Sequence, residues 1–118
     1  MKPKPPPHLD KDAAAEWRRI TKEMDAAGIL DAADRSILAL YIQTWANYRS
    51  ASREVATDGM VIVWPNGQVG PSPHYRIMKE LAPQLRAMLS ALGLTPAARA
   101  RAQARAAAPV EEPGDLDI

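Results

Sequence analysis

Apolar residues recur at three- and four-residue steps in the first part of the chain, at Ala13, Trp17, Ile20, Met24 and Ala27. That is the period of one helix face. Asp10 stands where an N-cap belongs, Leu9 precedes it as a staple, and Gly28 fits the left-handed position after a helix. A first helix is therefore predicted from about Asp10 to Ala27. A second is predicted from after Asp31 to Asp58. Its apolar set, Ile37, Leu38, Tyr41, Thr44, Trp45, Tyr48, Ala51 and Val55, is flanked by Leu40 and Ile42. This arc covers nearly half the circumference, so the helix needs two neighbours. One is the first helix. The other is a third helix or another subunit.

Past Gly59 the period changes to two. Met60, Ile62 and Trp64 alternate with Val61 and Val63, and Pro65-Asn66-Gly67 is turn chemistry, so residues 60–70 are predicted to form a β-hairpin. An isolated hairpin is marginal and has to lean on helices or on a neighbour. Ser72 and Pro73 open a third helix with the stripe His74, Ile77, Met78, Leu81, Leu85, Met88, Leu89 and Leu92. Pro83 lies inside it and is expected to kink it. Gly93 closes it. Thr95 and Pro96 open a fourth, Ala/Arg-rich helix that carries no large apolar residue, so nothing in the pattern anchors its sides.

The expected fold is thus mainly α: a helical hairpin of helices 1 and 2, a small β-hairpin, a kinked third helix and a short C-terminal Ala/Arg helix, as one subunit of a ring oligomer. Residues 1–9 are read as a flexible proline-rich arm, 10–94 as the helical core with its hairpin, 95–108 as the basic helix and 109–118 as an acidic tail.

Composition explains why assembly is expected. Of 118 residues 47% are apolar, but alanine supplies much of that, and the chain has no Phe, three Trp and three Tyr. So few bulky side chains make a thin core, which contact with other copies would complete. Tyr41, Trp45, Tyr48, Ile62 and Trp64 are the candidate interface residues. With no cysteine there is neither a disulfide framework nor thiolate chemistry. No apolar run approaches the roughly 20 residues of a membrane span, and the N-terminus lacks the apolar middle of a signal peptide. A cytosolic protein without membrane partners is expected.

Net charge is only +1, but it is unevenly spread. Residues 1–58 balance to zero, 59–94 carry +2, 95–108 carry +3, and 109–118 carry −4. Lys11, Arg18 and Lys22 fall on one narrow face of helix 1, opposite Trp17, with Arg19 beside it. Asp12, Glu16 and Glu23 occupy a separate flank. On helix 2, Arg35, Arg49 and Arg53 share another flank. These faces read either as solvated surface or as phosphate contacts. One copy is too weakly charged to bind DNA strongly, but a symmetric ring repeats each face and the contacts add. Lys11, Arg18, Arg19, Lys22, Arg49 and Arg53 are therefore the DNA-binding candidates. Arg99, Arg101 and Arg105 are secondary ones, because Arg99 lies almost opposite Arg101 and the three make no single groove-fitting stripe.

Catalytic chemistry finds little material. The two histidines are His8 in the arm and His74 at a helix start. There is no His-x-x-x-His, no Asp-rich calcium loop and no glycine-rich loop ending in Gly-Lys-Ser/Thr. Neither a catalytic residue, a metal site nor a cofactor is expected, and His74 reads as a packing or capping residue.

Pro7-His8-Leu9, Trp17, Gly28-Ile29-Leu30-Asp31, Asp34, Leu38, Tyr41, Trp45, Tyr48, Gly59, the hairpin, Pro73 and Gly93-Leu94-Thr95-Pro96-Ala97-Ala98-Arg99 follow one another in an order that resembles the small terminase subunits of tailed double-stranded DNA phages, a family whose core ends in Gly-Leu-Thr-Pro-x-x-Arg. The resemblance spans about residues 5–103. It implies a ring-forming protein that is not an enzyme. Such a protein recognises the packaging start on concatemeric viral DNA and modulates a large terminase subunit that carries the ATPase and nuclease. It also implies residence in the cytoplasm of an infected or lysogenic bacterial host, and not in the mature virion. Glu111, Glu112, Asp115 and Asp117 are then candidates for docking the large subunit. Two features depart from the family pattern: Pro83 interrupts helix 3, and the tail after Pro109 is short. Alternatives of other classes are a protein-only helical adaptor or scaffold, and a small helix-turn-helix transcription regulator.

Overall fold

The computed structural model describes residues 3–108. Helix α1 spans Lys11–Ala26, α2 Arg35–Asp58, α3 Pro73–Ala91 and α4 Pro96–Ala107, with strands β1 (Val61–Val63) and β2 (Val69–Pro71) between α2 and α3. The mainly helical architecture with one two-stranded hairpin and a bent third helix is the predicted one.

Local chemistry sets each boundary. The Asp10 carboxylate accepts the Ala13 amide at 2.8 Å and starts α1. At its end Gly28 adopts φ +72°, and the Ile29 amide returns to the Met24 carbonyl at 3.0 Å. This glycine stop satisfies carbonyls that the helix leaves open, and it turns Ile29 inward. Asp31 and Asp34 then form a reciprocal capping box around a single 3-10 turn that leads into α2. The α3–α4 junction repeats the device. Gly93 takes φ +75°, Leu94 donates to the Leu89 carbonyl at 2.8 Å, and the Thr95 hydroxyl accepts the Ala98 amide at 3.2 Å. Pro83 removes one amide from α3, which is bent.

The core lies at one end of the molecule. Ala13, Trp17, Ile20 and Met24 from α1 meet Leu38, Tyr41 and Ile42 from the first half of α2, and Leu92 from the end of α3 closes the cluster. Trp17 is wholly buried, and its indole N–H donates to the Pro3 carbonyl at 2.9 Å, so residues 3–9 lie back along α1. The second half of α2 touches α1 only through the exposed Arg49 and Arg53 beside Asp12, and there Ala51 is the single fully buried residue of α2. No residue between Pro73 and Ala91 is fully buried. A long, thin molecule results, 73 × 33 × 22 Å with a radius of gyration of 19.5 Å. A compact chain of this length would have about 13 Å.

Helix α4 differs from its sequence reading in having anchored sides. Ala98 is buried, Ala102 packs beside Gly93, and the Gln103 side chain donates to the Ala27 carbonyl at 2.9 Å. Small residues let α4 approach the α1–α2 turn closely, and a glutamine then ties it to the end of α1. Large apolar residues are not needed for this docking, which is why hydrophobic periodicity did not register it.

Candidate nucleic-acid interface

Two groups of candidate cations separate by their partners. Lys11, Arg18 and Lys22 stand exposed on the face of α1 away from Trp17 and enter no ion pair among the described residues. Arg19, beside them, is committed within the subunit. Its guanidinium grips Glu16 with two bonds of 2.7 and 2.8 Å and reaches Glu23 at 3.3 Å. Glu16 is itself only 8% exposed and takes the Tyr41 hydroxyl at 3.4 Å. The hydrogen bond to Glu16 holds the Arg19 pKa above its ordinary value, so this cation is fixed in its charged form. Burial, followed by the Glu16 charge, pushes the Tyr41 hydroxyl up to about 12. Glu16 therefore links α1 to α2 and is not part of a solvated acidic flank.

Arg49 and Arg53 are partly neutralised. Both approach Asp12, at 3.8 and 3.2 Å, and the Arg49 guanidinium also lies 5.1 Å from the centre of the Trp45 ring. Asp10, Asp12, Trp45, Arg49 and Arg53 line a shallow cavity of about 150 Å³ between the start of α1 and the middle of α2. Exposed pairs of this kind are worth only ~0–1 kcal/mol, so a phosphate can compete with Asp12 for the two arginines. Arg101 and Arg105 are exposed on α4. Arg99 is half-buried, and its Nε has no hydrogen-bond partner. Glu111, Glu112, Asp115 and Asp117 lie outside the described residues.

The candidate assembly residues also divide. Tyr41 belongs to the subunit's own core, and Trp45 packs against that core from its edge. Tyr48 and Ile62 are half-buried. Trp64 lies with its indole against Gly70, where an added Cβ would come within 2.8 Å of the ring nitrogen. Several apolar residues more open to solvent than these were not singled out as interface candidates: Val61, Val63 and Val69 are 58, 69 and 68% exposed, Met60 is 56% exposed, and on α2 Leu40 is 58% exposed. The pairings Val61↔Pro71 and Val63↔Val69 put these valines on one face of the hairpin, with Ile62 on the other. Alternation alone could not choose between the faces, because both are apolar. A strand that is apolar on both faces is the pattern of one covered on both.

One further group was not visible in sequence. The ends of α2 and α3 bring Glu54, Asp58 and His74 together across the hairpin.

A family model described as "Phage terminase, small subunit" matches residues 13–109. Neither the curated proteins nor the solved structures contain a match.

Proposed function

This chain belongs to the phage terminase small-subunit family, and on that premise we propose that it is the oligomeric DNA-recognition component of a genome-packaging motor. It assembles into a closed ring, binds the packaging start on double-stranded viral DNA and modulates the ATPase and nuclease of the large terminase subunit. It works in the cytoplasm of the infected or lysogenic host and does not remain in the mature virion. Its role is recognition and regulation without chemistry of its own.

The family match across residues 13–109 is the observation that carries this reading. The thin end of the molecule and the uncovered valine face of the hairpin support assembly, since a second copy would cover surface that the monomer leaves wet. The cations Lys11, Arg18 and Lys22, which enter no ion pair among the described residues, support contact with phosphates. Their charge per copy is small, so affinity depends on repetition around the ring and falls steeply with salt.

The test is filter retention of viral DNA across a salt series. The double variant Arg18→Glu, Lys22→Glu should abolish retention at low salt while its light-scattering mass equals that of the parent. Undiminished retention would move the DNA surface elsewhere. A parent protein that retains no DNA at any salt concentration would favour a protein-only adaptor.

A further inference from the structure

We propose that Glu54, Asp58 and His74 form a binding site for a divalent first-row transition cation of the zinc class, which pins the end of α2 to the first turn of α3. One ligand atom from each side chain lies within 4.8 Å of the other two. Glu54 and Asp58 are one helical turn apart, so both carboxylates point from the same face of α2. His74 is the second residue of α3 and reaches that face from the far side of the hairpin.

Three observations support a cation there. No ion pair among the described residues engages either carboxylate or the imidazole. Two like charges at this spacing repel, and both sit at the negative end of the α2 dipole, whose last turn contains no basic residue. A bound cation removes both penalties together. The third ligand is not an acid. His74 is half-buried and lines a groove of about 340 Å³ together with Ile77 and Leu81.

The frame is held in place. Gly59 turns the chain out of α2 at φ +87°, the Ser72 amide returns to the Met60 carbonyl at 2.8 Å, and the Ser72 hydroxyl caps α3 through the Tyr75 amide at 3.0 Å. The two helix ends are thus fixed before any ion arrives. Zinc bonds of ~2.0–2.2 Å require the three ligand atoms to draw closer than the 4.8 Å within which they lie, and the exposed carboxylates have the rotamer freedom to do so. An imidazole with two carboxylates suits zinc and its neighbours better than calcium or magnesium, which prefer all-oxygen shells. Three protein ligands leave the rest of the shell to water. The consequence is mechanical: the cation braces the root of the hairpin.

The experiment uses the untagged full chain, stripped with chelator, dialysed and titrated with zinc chloride by calorimetry. Magnesium and calcium are run in parallel. Saturable binding of one zinc per chain is expected, with a rise in thermal midpoint and no comparable binding of magnesium or calcium. His74→Ala should weaken zinc binding by tenfold or more, and so should Glu54→Gln with Asp58→Asn, while His8→Ala leaves it unchanged. Circular dichroism checks that each variant remains helical, and if His74→Ala unfolds, the carboxylate pair decides. No saturable zinc binding by the parent, or full-strength binding by the folded variants, would overturn the proposal.

Discussion

Glu16 shows how one side chain can decide the role of several others. It is a carboxylate within an apolar seam, and it holds Arg19 and the Tyr41 hydroxyl together. Arg19 thereby becomes a structural cation, although its sequence position suits it equally well to DNA. Tyr41 carries a pH signature. Its pKa is about 12 in the fold against 10.0 for a free phenol, so the fold prefers the neutral form. Its contribution is fully present below pH 10 and is lost between about pH 10 and 12, first as the unfolded phenol ionises and then the folded one. Urea unfolding at stepped pH should show the parent losing stability more steeply over this window than Tyr41→Phe. Parallel losses would remove Tyr41 from the account. Asp12 carries the opposite kind of control, because it occupies Arg49 and Arg53 in the free subunit. Asp12→Asn should tighten DNA binding by up to about fivefold, the worth of one or two exposed pairs. An equal gain in Asp25→Asn would mean that net charge alone was responsible.

At the level of elements, the helix boundaries were legible because they rest on local chemistry. Asp10, Asp31, Ser72 and Thr95 announce starts, and Gly28, Gly59 and Gly93 announce stops. What the pattern could not show depends on approach between distant segments. The docking of α4 rests on Ala98, Ala102 and the Gln103–Ala27 bond, which leave no hydrophobic period. The grouping of Glu54, Asp58 and His74 depends on how the hairpin folds its two flanking helices back. Arg49 and Arg53 looked free because their partner, Asp12, is about forty positions away in sequence and on another helix. Gly93 is where local and distant demands meet. Its φ is +75°, and an added Cβ would lie 3.0 Å from Ile29 and 3.3 Å from Ala102. Gly93→Ala should therefore cost at least ~1–2 kcal/mol from the left-handed backbone alone, read as a lower urea midpoint. A midpoint equal to that of the parent would show that Gly93 does not hold a left-handed turn between α3 and α4.

The whole molecule is unevenly finished. Its thick end has a true core around Trp17, where three helices converge. Its other end is two helices and a hairpin with an apolar outer face, which no residue of the same chain covers among those described. Isolated proteins seldom expose a contiguous surface of this kind. Sequence composition anticipated the thin core, since alanine cannot fill volume, but the place of the deficit appeared only with the fold. A ring of copies, each covering its neighbour's thin end, would complete the structure and multiply the Lys11, Arg18 and Lys22 face around one DNA-binding surface. The most direct test of this account is the mass of the purified full chain by multi-angle light scattering at low micromolar concentration. One stable closed oligomer larger than a dimer is expected. A stable monomer at that concentration would contradict it.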